Sequence, residues 1–170
     1  NLVSTVDALP HYMDPQNIAM FEKFHVYTKE EIASRTDILL ENYSKVINIE
    51  AMTMLDMTKK KLLPAAMEYG KKICDTAIAK KQLGLDASAE TKLAADLDSN
   101  TAKMYEAMQA LESKVNAAKE IGDVLECAKA YRSQVFSAMS DLRTYADQLE
   151  MLVSAEDWPL PPYSDLLFNV

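Results

Sequence analysis

Apolar residues recur at every seventh position in two series in the second half of the chain. The first series is Leu97, Met104, Leu111 and Ala118, and the second is Ala128, Val135, Leu142 and Leu149. Thr101, Met108 and Val115 accompany the first series at helical spacing, as in a coiled-coil seam. Gly122 and Asp123 lie between the two series and supply a helix stop followed by an N-cap. The pattern therefore predicts two long helices joined by a tight turn, which is an antiparallel helical hairpin.

The first half of the chain carries a longer amphipathic pattern that one proline interrupts. From Ile32 to Ile73 the apolar residues recur mostly at spacings of three or four, as on one face of a helix. Thr28 and Glu31 form the pattern of a capping box just before this stretch. Pro64 lacks an amide hydrogen and clashes with the preceding turn of a helix, so we expect a kink or break near Lys61–Leu63.

Glycine, proline and short polar residues mark the segments that flank these helices. Gly84 is expected to cap the long helix at its C-terminus, and Asp86 or Ser88 to cap the next helix at its N-terminus. Residues 1–13 contain a proline and little periodicity, and this predicts a connecting segment. Residues 156–170 contain three prolines between aromatic and apolar residues, which favours an extended tail that docks on another surface.

A short helix is expected to begin at Asp14 and Pro15, an N-cap followed by a first-turn proline. Its apolar face consists of Ile18, Phe21 and Phe24. The predicted fold is all-α: an antiparallel helical bundle with one long helix kinked near Pro64, a long helical hairpin and an extended proline-rich C-terminal tail. Because no linker or constant-period repeat is present, we expect residues 1–170 to form a single helical domain.

The charge of the chain excludes several classes of partner. A formal net charge of -8 and an isoelectric point near 4.8 argue against nucleic acid and anionic lipid, which require clustered cations. The one basic run, Lys59–Lys61, is interpreted as a solvated helix face. No unbroken apolar stretch approaches the roughly 20 residues of a membrane span, so we expect neither a nucleic-acid nor a membrane partner.

The cysteines and the first residue bear on origin and compartment. Cys74 and Cys127 lie far apart and lack the spacing of a metal site, which favours buried thiols in a reducing cytoplasm over a disulfide. The chain begins with Asn1 rather than Met, and we interpret it as a fragment of a larger protein.

The sequence offers few residues for catalysis or metal binding. Glu22 and His25 form a Glu-x-x-His unit of the kind found in di-iron bundles, but the unit occurs once and His11 has no matching glutamate. A helix-ending or exposed histidine is the preferred interpretation. No nucleophile motif or phosphate-binding glycine loop is present, so we assign no catalytic, cofactor-binding or metal residues to this chain.

Two acidic residues and a methionine-rich run lie within the apolar stretch of the long helix. Glu50 and Asp56 are expected to take part in structural hydrogen bonding or an interface ion pair, because a carboxylate buried in this stretch would require a partner. A contact with a ligand is the alternative interpretation. Met52, Met54 and Met57 are interpreted as adaptable core rather than as cofactor contacts.

Five segments carry a resemblance to one family. They are STVDALP at 4–10, the stretch from Phe21 to Arg35, YSKVINIEAMTMLDMTKKKLLP at 43–64, the stretch from Ala128 to Arg143, and WPLPPYSDLLF at 158–168. In these segments, and in their order, the chain resembles the C-terminal helical region of type III glutamine synthetases. The resemblance covers essentially the whole chain.

The resemblance implies a parent enzyme that condenses glutamate with ammonia, using ATP and Mg²⁺ or Mn²⁺. The family's metal-binding and phosphate-binding residues lie upstream of Asn1, and none of their motifs occurs in this chain. The family's ring-shaped oligomers imply that the extension packs against the catalytic region of its own chain and neighbouring subunits in the cytoplasm. Two other hypotheses remain: a stand-alone helical protein–protein interaction module, and a metal-dependent bundle enzyme whose remaining ligands are not evident.

Overall fold

The computed structural model describes residues 2–161 and 163–168, without the side chains of Tyr163, Ser164 and Phe168. Its regular structure is entirely helical over these ranges, so the predicted all-α class is confirmed. The elements in chain order are α1 (Thr5–Ala8), a 3₁₀ helix (Leu9–Met13), α2 (Pro15–Lys23), α3 (Lys29–Met57), a π-helical turn (Thr58–Leu62), α4 (Leu63–Gln82), α5 (Ser88–Lys119), α6 (Val124–Ala130), a second π-helical turn (Tyr131–Val135), α7 (Phe136–Glu150) and α8 (Tyr163–Phe168).

The capping box predicted at the start of α3 is confirmed. The Thr28 backbone N–H donates to Glu31 Oε2 at 2.8 Å, and the Glu31 N–H donates to Thr28 Oγ1 at 3.3 Å. The two bonds satisfy backbone donors that the first turn of a helix would otherwise leave open. A cap of this kind stabilises a helix by about 1 kcal/mol.

The predicted break before Pro64 takes the form of a π-helical turn, Thr58–Leu62. The Leu63 N–H donates to the Thr58 carbonyl, five residues back instead of four. Because proline has no N–H and its ring clashes with the carbonyl four residues earlier, the wider turn lets the helix continue past Pro64. The break therefore lies where the sequence predicts it.

The predicted hairpin corresponds to α5 and to the continuous run from α6 to α7. All eight residues of the two seven-residue series are buried, with at most 2% of each exposed. At the turn, Asp123 accepts a hydrogen bond from the Glu126 N–H at 2.9 Å, which confirms Asp123 as the N-cap of α6. At the start of α5, Asp86 Oδ1 accepts a hydrogen bond from the Ser88 N–H at 3.0 Å, so of the two candidates Asp86 supplies the cap and Ser88 is the first residue of the helix.

The chain divides into two compact units. The first unit comprises the residues up to Met52 together with Glu112–Ala138. The second comprises Thr53–Leu111 together with the residues from Met139 onward. The single-domain interpretation of residues 1–170 stays a prediction. No helix in the described part of the chain combines the length and the apolarity that crossing a membrane requires.

The opening segment belongs to the core of the first unit. Val6, Leu9, Leu40 and Ala128 form a buried cluster, and Tyr43, Val124 and Leu125 pack against it. Residues 1–13 were expected to be a connecting segment, but α1 and the 3₁₀ helix occupy 5–13. Ser4 caps α1 by accepting a hydrogen bond from the Asp7 N–H. The segment is therefore helical despite its low periodicity, and its two buried residues, Val6 and Leu9, are three positions apart.

The second unit buries residues from the end of α3, the first π-helical turn, α4, α5 and α7. Its most deeply buried members are Leu55, Thr58, Ala66, Leu97, Met104, Leu111, Leu142 and Leu149. The start of the tail joins this core, because Trp158 is only 8% exposed. Lys72 on α4 donates to Asp157 Oδ1 at 2.5 Å, and the Ser154 hydroxyl donates to Asp157 Oδ2 at 2.7 Å.

The rest of the tail differs from the expected extended segment. Residues 163–168 form the short helix α8, on which Leu166 and Leu167 are exposed. Docking of these two leucines on another surface stays a prediction. Pro162, Asn169 and Val170 lie outside the described residues.

Two helices end in the same left-handed motif with different residues. After α4, Gly84 has φ +70°, the Leu85 N–H donates to the Lys80 carbonyl at 2.9 Å, and the predicted C-cap is confirmed. After α2 the equivalent residue is His25, with φ +55°. The apolar face predicted for α2 is only partly correct, because Phe24 at its end is 67% exposed.

We predict that replacing His25 by glycine stabilises the isolated chain by about 0.5–1 kcal/mol, because glycine removes left-handed strain but loses more backbone entropy on folding. Conversely, Gly84→Ala should destabilise the chain by about 1 kcal/mol or more, because alanine is strained at this positive φ. The added Cβ meets no atom within 4 Å, so the whole effect comes from the backbone. Denaturant unfolding measures both changes. Gly122→Ala, at a glycine without positive φ, is the control and should not destabilise. A His25→Gly variant that is less stable than the parent chain would contradict the assignment of left-handed strain to His25.

A second prediction concerns the pH dependence of the Trp158 environment. The hydrogen bond from Lys72, followed by that from Ser154, lowers the pKa of Asp157. The stabilisation from the ionised carboxylate is therefore present above the unfolded pKa of about 3.9 and is lost as pH falls through the lower folded value. Fluorescence of Trp158, the single tryptophan, should shift to longer wavelength during this loss.

Lys72→Met should move this fluorescence transition to higher pH, because the main cause of the lowered pKa is gone. Lys71→Met changes the neighbouring, exposed lysine and should leave the midpoint unchanged. Equal midpoints in the two variants would rule out the Lys72–Asp157 contact as the origin of the transition.

Candidate interaction surface

Helix α3 buries one face in the core of the first unit. The buried residues of this part of the helix are Ile32, Thr36, Leu40, Ser44, Ile47 and Ala51. Their spacings of three and four residues place them along a single stripe. Thr36 and Ser44 each donate their hydroxyl to the carbonyl four residues earlier, at 2.9 and 3.1 Å, so these polar groups are satisfied within the helix.

The other side of α3 carries a second apolar stripe, which is exposed. This outer stripe consists of Ile38, Leu39, Val46, Ile49 and Met52, with 43–63% of each residue exposed. At 1.5 Å per residue the outer stripe runs for about 22 Å along the helix. Single exposed apolar residues are common on soluble proteins, whereas several of them on one side of a helix form a candidate contact surface.

A cleft lined by aromatic residues adjoins the outer stripe. The aromatic cleft has a volume of about 300 Å³ and is lined by Tyr12, Phe21, Tyr27, Ile32, Arg35, Thr36, Ile38 and Leu39. The ring centroids of Tyr12 and Phe21 are 6.4 Å apart, and those of Phe21 and Tyr27 are 5.8 Å apart. Because Ile38 and Leu39 belong to both features, the cleft and the stripe form one continuous apolar surface.

One charged side chain lies at the aromatic cleft. The guanidinium carbon of Arg35 is 4.4 Å from the centre of the Tyr27 ring, within the range of a cation–π contact. Stacking on the ring orients the guanidinium and leaves its N–H groups at the edge available to an acceptor. The cleft therefore combines apolar walls with one fixed cation.

A second groove, of about 310 Å³, lies beside the hairpin turn. Lys45, Lys119, Asn48 and Tyr131 are among the residues that line it. The Tyr131 hydroxyl donates to Asn48 Oδ1 at 3.2 Å, and burial raises the pKa of Tyr131. Lys45 is paired with Glu41 on the same helix at 3.0 Å. The bond between Tyr131 and Asn48 joins α3 to the second π-helical turn within the first unit.

The residues considered for a metal site do not come together. His25 ends α2, and both it and Glu22 are exposed. His11 is hydrogen-bonded to Asp14, with 2.9 Å between Nδ1 and Oδ2. Among residues 2–161 and 163–168, with three side chains not described, no three His, Cys, Asp or Glu residues lie close enough to hold a metal ion. The absence of catalytic residues stays a prediction.

Several expectations about polar and sulfur-containing residues were only partly correct. Glu50 and Asp56 are both exposed, and Asp56 does form an ion pair, with Lys60, but at the surface. Met52 belongs to the exposed outer stripe rather than to the core. Cys74 is exposed, whereas Cys127 is partly buried, and neither forms a disulfide.

The aromatic cleft and the outer stripe are the features that sequence reasoning missed. The signals were present: four aromatic residues lie from position 12 to position 27, three of which line the cleft. Ile38, Leu39, Val46 and Ile49 do not share a face with Leu40 and Ile47. The sequence prediction counted spacings of three and four residues along the whole helix, and therefore did not separate the inner face of α3 from its outer face.

Comparisons with known proteins bear on the origin of this surface. The sequence profile of the family described as "Glutamine synthetase C-terminal domain" matches residues 1–81, which contain the outer stripe and the aromatic cleft. The chain is 36% identical to a glutamine synthetase of Butyrivibrio fibrisolvens, over 100% of this chain and 25% of that protein. It is 28% identical to the type-3 glutamine synthetase of Dictyostelium discoideum, over 99% of this chain and 24% of that protein.

A glutamine synthetase of Bacteroides fragilis is 26% identical, over 99% of this chain and 24% of its own length. The chain thus spans about a quarter of the length of the curated relatives it matches. The resemblance to the C-terminal helical region of type III glutamine synthetases is therefore confirmed: the chain is similar over its whole length to the C-terminal quarter of curated glutamine synthetases.

Proposed function

We propose that this chain is a non-catalytic C-terminal helical extension of an ATP-dependent glutamate–ammonia ligase, and that it acts in subunit packing. The single observation that carries the proposal is the outer stripe of α3. Its proposed partners are the catalytic region of the same protein and neighbouring subunits. The proposed location is the cytoplasm.

The proposed parent reaction joins glutamate and ammonia at the expense of ATP, with Mg²⁺ or Mn²⁺. The described residues of this chain do not fit such a metal, because they bring no three carboxylate, imidazole or thiol groups together. We propose that ATP and the metal bind in the rest of the parent protein, because this chain spans only about a quarter of the length of its relatives.

The energetics of the outer stripe are consistent with a packing role. Each half-exposed aliphatic side chain contributes on the order of 1 kcal/mol when a partner covers it. Five such residues would give a weak contact between separate molecules, because association costs several kcal/mol of translational and rotational freedom. A covalently attached extension avoids most of that cost, so a modest stripe suffices.

A stand-alone interaction module is the second candidate, because an exposed apolar stripe on a helix also fits the groove of an unrelated partner. The two candidates differ in what covers the stripe. Recovery of only the parent protein's own subunits by the isolated chain would favour the packing role.

We predict that Ile49→Asp in the full-length protein disrupts its assembly. A buried carboxylate opposite an apolar surface costs several kcal/mol, so size-exclusion chromatography with light scattering should show smaller species, with activity falling at least several-fold. The isolated chain should lose no more than about 0.5 kcal/mol of stability, because Ile49 is exposed in it.

Ile78→Asp is the matched control, since Ile78 on α4 is exposed to a similar extent, 54%, outside the outer stripe. It should leave assembly and activity unchanged. Normal assembly and activity of the Ile49→Asp protein would exclude the outer stripe as a packing surface.

A further inference from the structure

We propose that the aromatic cleft binds a small organic acid, a carboxylate carried on an aromatic or branched apolar body. The proposal goes beyond the packing role. Because the cleft shares Ile38 and Leu39 with the outer stripe, binding is tested on the isolated chain, in which both residues are exposed. It rests on the coincidence of an apolar cavity of ligand size with a single oriented arginine.

The walls of the cleft suit an apolar body. Ile32 and Thr36 are buried, and the Thr36 hydroxyl already donates to the Ile32 carbonyl at 2.9 Å, so this part of the lining offers no free hydroxyl hydrogen. The rings of Tyr12, Phe21 and Tyr27 supply the aromatic lining. A volume of about 300 Å³ lies at the lower end of the range for small-molecule pockets, and this favours a compact ligand over a nucleotide cofactor.

The charge of the cleft suits one carboxylate. Arg35 is the only charged residue among those that line it. In the described part of the chain Arg35 contacts the Tyr27 ring and forms no ion pair with a carboxylate, although the chain has eight more acidic than basic residues. A guanidinium binds a carboxylate through two parallel hydrogen bonds.

A phosphate group fits the cleft less well than a carboxylate. A phosphate dianion is usually held by several cations or by backbone N–H groups at a helix N-terminus. The cleft offers one cation, and the nearby start of α3 is already capped by Glu31. One negative charge therefore matches the single guanidinium.

The test is a titration of the purified chain with phenylacetate, followed by NMR chemical shifts and calorimetry. We expect saturable binding with a Kd on the order of 1 mM, and at least fivefold weaker binding of the neutral isostere phenylacetamide. Arg35→Gln should weaken phenylacetate binding about five- to tenfold, because the charged hydrogen bonds are lost.

Arg132→Gln is the matched control. The Arg132 guanidinium also stacks on a ring, that of Phe136 at 5.0 Å, but lies outside the aromatic cleft, so this variant should bind phenylacetate normally. Phe21→Leu keeps the cleft apolar while removing one ring, and should weaken binding of phenylacetate and phenylacetamide alike.

Absence of saturable binding, or binding that ignores both the amide replacement and Arg35→Gln, would overturn the proposal. A further arm compares N-acetylphenylalanine with N-acetyl-aspartyl-phenylalanine amide. Equal or tighter binding of the blocked peptide would assign the cleft to a peptide carboxylate and overturn the free-acid proposal. None of these outcomes depends on assembly, so they stand apart from the test of the packing role.

Discussion

Burial of the two seven-residue apolar series is the constraint on which the rest of the structure depends. These residues are the most completely buried set in α5, α6 and α7, and each large member contributes about 1.5–3 kcal/mol through removal from water. A repeat of seven keeps one face of a helix turned inward over many turns. The inward face of α3 meets the same requirement, so the apolar residues on its outward face are not needed for the chain's own core.

Local chemistry made much of the fold predictable from the sequence. Thr28 and Glu31 form a capping box because their side chains reach each other's backbone amide, whatever the distant surroundings. Gly84 ends α4 because glycine adopts positive φ without steric cost. Pro64 forces a change of hydrogen bonding within one turn. Each signal acts over seven residues or fewer, so the sequence alone contains it.

Features that depend on tertiary packing were not predictable in this way. The π-helical turn at Tyr131–Val135 has no proline within it, and its Tyr131 is held by Asn48 from a distant part of the chain. His25 adopts positive φ although histidine carries a Cβ, because the chain must turn before the capping box at Thr28. The aromatic cleft assembles Tyr12, Phe21 and Arg35 from separate elements, so helical periodicity within one element could not predict it.

The central claim is that the outer stripe of α3 is a contact surface of a larger protein. A cryo-electron microscopy structure of the full-length, assembled protein measures this most directly, through the exposed area of Ile38, Leu39, Val46 and Ile49. The account predicts that these side chains, each 43–63% exposed in the chain by itself, become largely buried against the catalytic region or a neighbouring subunit. Side chains that remain as exposed in the assembled protein as in this chain would contradict it.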